Sequence, residues 1–162
     1  MFAKITCDYF RQMRTHQYQL KIIWTGNHGN GTSSYTEYSR DHEISASGKT
    51  TLKGSADPAF RGDPTKYNPE ELFLSSISTC HMLWFLHLCS DAGIVVTSYE
   101  DNPIGYMTEG GIEAGRFTKV ELHPVITITE QERIQEANHL HLAASEKCFI
   151  RNSCNFPIAC VL

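Results

Sequence analysis

Positive charge is not concentrated anywhere in this 162-residue chain. Fourteen Lys and Arg face eighteen Asp and Glu, for a net charge of −4. Without a basic cluster, no electrostatic grip on nucleic acid or an anionic membrane is expected. The chain is also short of long apolar runs. The longest, residues 77–89, is interrupted by Ser78, Thr79, His81 and His87, whereas a bilayer-crossing helix needs about 20 predominantly apolar residues. Residues 1–13 carry Lys4 and Arg11 but no apolar centre, because Asp8 and Gln12 interrupt it. That is not the pattern of a secretory signal, and the chain reads as cytoplasmic. Cys-x-x-Cys does not occur among the six cysteines, Cys7, Cys80, Cys89, Cys148, Cys154 and Cys160, which disfavours thioredoxin-like chemistry. No internal repeat is visible. What is present is material for one core. Hydrophobic residues make up 41% and charged residues 20%, with 8 Phe, 7 Tyr and 2 Trp, so disorder is excluded and a single folded domain is expected.

The order of elements is legible in outline. In residues 16–25, Tyr18, Leu20, Ile22 and Trp24 alternate with their neighbours, the period of a half-buried strand. The turn Asn27-His28-Gly29-Asn30-Gly31 tolerates positive φ and predicts a hairpin into a second strand over residues 32–38. A third strand is expected at residues 43–46 or 50–53, around Gly48, and the Asp57-Pro58, Gly62 and Asp63-Pro64 steps then predict a loop. Asn68-Pro69-Glu70-Glu71 is the clearest helix start: a capping Asn, Pro at the first position, and acids near the positive dipole end. Asp91-Ala92-Gly93 is its stop. The helix between them is apolar on nearly every face over residues 82–89 and should lie buried at the centre. A strand at residues 94–99, another at 117–129, a helix at 130–145 and a last strand at 156–161 complete an α+β order. Residues 1–15 read as an unordered N-terminal extension and residues 16–162 as one domain.

Cys80, halfway along the central helix, follows the small residues Ser75, Ser76, Ser78 and Thr79. Cys89 is nine residues on and therefore on the opposite face, where it reads as core. His87 is seven residues on, on the same face but about 10 Å along the axis, too far to deprotonate Cys80 directly. Cys148 closes the C-terminal helix. The two thiols could form a dithiol that cycles to a disulfide. A structural zinc site from His139, His141, Cys148, Cys154 and Cys160 has the wrong spacing, because histidines two apart on a helix point to different faces. Asn30-Gly31-Thr32 reads as a turn rather than a glycosylation site.

Asn68-Pro69-Glu70-Glu71-Leu72, the small residues before Cys80, the apolar helix after it and Glu146-Lys147-Cys148 together resemble the OsmC/Ohr family of organic hydroperoxide peroxidases, over about residues 16–160. The resemblance implies an α+β subunit with antiparallel sheets around a long buried central helix, interlocked as a homodimer. A helix apolar all round, with too few other elements to cover it, points the same way. By the resemblance, Cys80 is the peroxidatic cysteine, Cys148 the resolving one and Glu70 the active-site carboxylate. The family's arginine near the first hairpin aligns with His28 here, which leaves Arg40 as first substitute, Arg61 as second and His28 as the alternative. The implied activity is a peroxiredoxin-like reduction of organic hydroperoxides in oxidative-stress defence, without a cofactor and with an external dithiol, of lipoyl type, as reductant. Phe73, Ile77, Met82 and Trp84 flank Cys80 and suggest an apolar substrate. Two other classes are an OsmC-like small-molecule or lipid-binding dimer without peroxidase turnover, and a zinc-dependent module. Cys7, Cys89, Cys154 and Cys160 receive no role.

Overall fold

The structure, a computed structural model, describes residues 14–112 and 114–162. Among the described residues, eight strands and three α-helices run β1 (Lys21–Trp24), β2 (His42–Ser45), β3 (Leu52–Gly54), α1 (Pro69–Asp91), β4 (Val96–Asp101), β5 (Ile104–Thr108), β6 (Arg116–Leu122), β7 (Pro124–Ile128), α2 (Ile134–Lys147), α3 (Phe149–Asn152) and β8 (Ile158–Cys160). The α+β class stands. The strands form three sheets, β1-β2-β3, β4-β7 and β5-β6-β8. Every pairing between strands is antiparallel except β6 with β8. The expectation for residues 1–15 lies, for residues 1–13, outside the described residues, as does Cys7.

The long helix is where its caps place it. The Asn68 side chain accepts from the Glu71 N–H, and the Glu71 carboxylate accepts from the Asn68 N–H, a reciprocal capping box. Twenty-three residues extend about 34 Å. By length and composition α1 is apolar enough to cross a bilayer, although no uninterrupted run announced this. Its inward face includes two polar residues, Ser78 and His81, buried beside Ile77, Phe85 and Cys89. Those partners mark it as a core helix here. It is not buried all round, as the sequence suggested: Leu83 is 63% exposed.

Two cores share α1. Toward its N-terminal half, Ile77 packs with Val120, Leu122 and Ile158, with Phe73, Phe117 and Phe156 around them. Toward its C-terminal half, Phe85 and Cys89 pack with Ile94, Ile128, Ala137 and Ala144 of β7, α2 and the approach to β4. The expected single strand over residues 117–129 is two, β6 and β7, in different sheets. Pro124, which has no N–H to offer a ladder, begins the second.

The N-terminal part departs most from expectation. Residues 32–38 form turns, not a strand, and only an isolated bridge joins Asn27 to Tyr38. At Gly26 a side-chain Cβ would collide with the Ser39 carbonyl, so glycine permits that close approach. The partner of β1 is β2, and the Gly48 turn, with Gly48 at φ 73°, separates β2 from β3. The two alternatives for a third strand are therefore both strands. All four residues of β1 are exposed rather than half-buried.

Candidate functional site

Cys80 lies on the outward side of α1, half-buried, at the floor of an open cleft of about 990 Å³. Helical periodicity also brings Ser76, Thr79, Leu83, Trp84 and His87 to this cleft. Phe149 and Ile150 of α3 form a second wall, and Tyr18 and Lys49 close it from the N-terminal part. Of the residues expected to give an apolar surround, Trp84 does so, whereas Ile77 is fully buried and Phe73 packs toward the inner core. The missed apolar residues are Leu83, Phe149 and Ile150. Phe149 and Ile150 could not be placed from sequence because α3 is a single short turn after Cys148.

Cys148 is 1% exposed and stands between α2 and α3 with an extended backbone, φ −67° and ψ 111°. Its Sγ accepts from the Arg151 N–H at 3.4 Å. Burial first, then the neighbouring Cys80 side chain, pushes the Cys148 thiol up to about 11. The structure thus brings together two thiols 68 positions apart in sequence. Cys89 is fully buried, pushed up by desolvation to about 11. His87 shares the cleft with Cys80 and faces Asp91 at 3.5 Å.

Glu70 is half-buried in the first turn of α1. Because the helix is unbroken, ten residues place it about 15 Å along the axis from Cys80, and it does not reach the thiol within this chain. Arg40 is held in its own loop. Its guanidinium donates to the carbonyls of Tyr38 at 2.6 Å and Tyr35 at 2.9 Å and stacks 4.3 Å from the Tyr38 ring and 4.1 Å from the Tyr35 ring. Arg61 has a left-handed backbone, φ 64°, after the 3-10 turn Pro58–Phe60 and is exposed, as is His28. None of the three is among the residues lining the cleft. The basic groups that sequence reasoning missed are Lys49, on the cleft wall, and Arg151, one turn beyond Cys148, whose charge acts on His81, the residue after Cys80. The run from Cys148 to Arg151 was visible, but its approach to α1 is a tertiary fact.

The inward side of the same turn holds a second group. His81 Nε2 is 2.9 Å from His141 Nδ1 and 3.9 Å from Cys160 Sγ. His81 and His141 are 2% and 1% exposed. Desolvation lowers both imidazoles, His141 to about 4, and raises the Cys160 thiol to about 11. His139, two residues from His141, is exposed, as its helical position requires.

A family profile described as OsmC-like protein matches residues 62–161. Among solved structures, the chain is similar to an OsmC-like protein of unknown function from Vibrio cholerae, at 27% identity and a TM-score of 0.82 over 91% of this chain and 99% of that one. It is similar also to an organic hydroperoxide resistance protein from Elizabethkingia anophelis, at 21% identity and 0.65 over 92% and 98%. An OsmC organic hydroperoxide resistance protein from Legionella pneumophila aligns at 18% identity and 0.65 over 91% and 100%. No curated protein matches the sequence.

Proposed function

This chain belongs to the OsmC-like protein family, and from that premise we propose that it is a thiol-dependent peroxidase that reduces organic hydroperoxides to alcohols. The observation that carries the reading is the half-buried Cys80 at the floor of an apolar cleft with the Cys148 thiol beside it. The Cys80 thiolate attacks the terminal peroxide oxygen. The O–O bond breaks, the alkoxide takes a proton and leaves as alcohol, and Cys80 becomes a sulfenic acid. Cys148 then attacks that sulfur. Its thiol proton departs with the hydroxyl as water and a disulfide remains. An external dithiol, of lipoyl type, returns two electrons and two protons to the pair. The apolar walls of Leu83, Trp84 and Phe149 suit an alkyl or acyl-chain hydroperoxide better than hydrogen peroxide.

The reading includes a cytoplasmic homodimer. Leu83 and Phe149 are 63% and 69% exposed, β1 is exposed along its length, and Glu70 could serve a Cys80 only from a second copy. A binding-only dimer is the second reading, favoured by the engagement of Arg40 with Tyr35 and Tyr38 rather than with the cleft.

Reaction with a stoichiometric alkyl hydroperoxide, followed by mass spectrometry, tests the proposal. Wild type should form the Cys80–Cys148 disulfide, Cys80→Ser should consume no peroxide, and Cys148→Ser should turn over once and stop as sulfenic or overoxidised acid. Equal residual turnover in the two variants would sink the assignment of roles. An inert Cys80 in wild type would leave the binding reading as the better one.

A further inference from the structure

The histidine pair behind Cys80 has no part in the peroxidase chemistry proposed above, and it is costly to build. Two imidazoles are removed from water beside the half-buried Cys160. The His141 Nε2 and the Tyr99 hydroxyl are buried there with no hydrogen-bond partner among the described residues, their rings 6.4 Å apart. Buried polar groups are rarely left so; the donor atoms that do meet are His81 Nε2, His141 Nδ1 and Cys160 Sγ, which lie against one another.

We propose that His81, His141 and Cys160 form a binding site for one transition-metal ion of the Zn(II) class, which ties α1, α2 and β8 together. One donor atom from each of the three residues falls within 4.8 Å of the others. Tetrahedral zinc, with bonds of about 2.0–2.1 Å to nitrogen and about 2.3 Å to sulfur, sets ligand separations of roughly 3.4 Å for N to N and roughly 3.6 Å for N to S. To meet them, the 2.9 Å between the imidazoles must open by about half an ångström, the 3.9 Å from His81 to Cys160 must close by about 0.3 Å, and His141 and Cys160, within 4.8 Å of each other, must approach by up to about 1.2 Å. Two imidazoles and a thiolate are a donor set that favours zinc over magnesium or calcium. On binding, the Cys160 thiol releases its proton to solvent, and each imidazole carries its single proton on the nitrogen turned away from the ion.

The surroundings complete the electrostatics. Asp101 acts on both His81 and Cys160 through its charge. It is itself fixed, accepting from the Ser78 hydroxyl at 2.5 Å and from the His123 N–H at 2.7 Å. The Cys160 thiolate and the Asp101 carboxylate together offset a dication. With three protein ligands, the fourth position is left for a water molecule or the nearby Tyr99 hydroxyl.

The experiment titrates the full-length, reduced, chelator-treated protein with Co(II) and then Zn(II). One equivalent should bind, with tetrahedral cobalt bands and a thiolate-to-cobalt charge-transfer band. X-ray absorption of the zinc form should show one sulfur and two nitrogen neighbours. Cys160→Ser should remove the charge-transfer band and weaken binding by about 100-fold or more, since loss of even an outer-shell partner costs 10–100-fold. Should that variant fail to fold, His141→Gln and the wild-type absorption spectrum still decide. Absence of stoichiometric binding, undiminished binding in folded Cys160→Ser, or a two-sulfur shell, which would place the metal on Cys80 and Cys148, each overturns the proposal. None of these readouts depends on peroxidase activity, so the metal site and the peroxidase reading can fail separately.

Discussion

Cys80 and His81 are consecutive residues of one helix, yet they belong to different worlds. Cys80 looks out into an open cleft, whereas His81 turns inward, 2% exposed, onto His141 and Cys160. A step of 100° around α1 separates them. The difference teaches that reactivity in this fold is set by helix face rather than by residue type. Cys80 and Cys89 are both cysteines of α1, but only Cys80 meets solvent, because Cys89 lies on the face that packs against β4, β7 and α2. A helix packed closely on one side and only partly covered on the other can carry an accessible thiol and a desolvated polar cluster within one turn.

Thiol labelling sharpens the contrast most. With their thiols pushed up to about 11, Cys89, Cys148 and Cys160 hold on the order of one thiolate per thousand or fewer at pH 7.5. Under limiting iodoacetamide, peptide mapping should show Cys80 modified at least about tenfold faster than any of them. Faster modification of Cys160 would mean that the inward face opens.

Packing gives the next contrast. Phe85 is fully buried, 3.9 Å from the His141 ring, and Phe85→Ala should cost about 3–5 kcal/mol in denaturant unfolding. Leu83→Ala, on the exposed cleft wall, should cost below about 1 kcal/mol in an isolated chain. A loss at Leu83 approaching that at Phe85 would show that a second copy covers the cleft face. Unfolding as a function of protein concentration should then confirm the dimer.

Arg40 provides a smaller test away from both faces. Two ring contacts at about 0.5–1 kcal/mol each imply that Arg40→Met loses roughly 1–2 kcal/mol. Hydrogen exchange should localise the change to residues 35–40. If the rate of Cys80 oxidation falls as well while the fold persists, Arg40 acts on the thiolate after all, across a dimer. Should the rate be unchanged, Arg151 and Lys49 become the cations to test by the same substitution.

The smallest effect is electrostatic. Lys66 bridges Asp41 at 2.7 Å and Asp63 at 3.0 Å. Hydrogen bonds from Lys66 hold the Asp41 carboxyl low, and those from Thr65 carry Asp63 down to about 2. Carboxyls depressed in the folded state stabilise it fully above their ordinary value near 3.8 and lose that contribution as pH falls through their lowered values, about 2 for Asp63. Lys66, raised above its ordinary value by the same carboxylates, contributes below about 10.5 and fades at higher pH. The melting temperature should therefore fall slightly below pH 4 in Lys66→Ala less than in wild type, and high salt should shrink the difference.

Local chemistry by itself determined α1, since a capping Asn, Pro at the first position and Gly93 after its end are readable without any tertiary information, and the helix runs where they place it. Helical arithmetic likewise separated Cys80 from Cys89, aligned His87 with Cys80 and set His139 and His141 on different faces. Sequence did not determine the strands so well: residues 32–38 became turns because the register of β1 is satisfied by β2, and β5 was not anticipated, since Gly105 and Thr108 blur its alternation. Only the tertiary structure decided that Cys148 comes to Cys80, that Arg151 follows it, and that Cys160 and His141 meet His81. Each of these pairs residues 60 or more positions apart, and separations of that length leave no periodicity behind. Cys148 and Arg151 arrive where α3 packs along the cleft side of α1, and the histidine cluster forms because α2 and β8 pack on its inward face, a choice made by the two apolar cores rather than by the polar residues that those cores bring together.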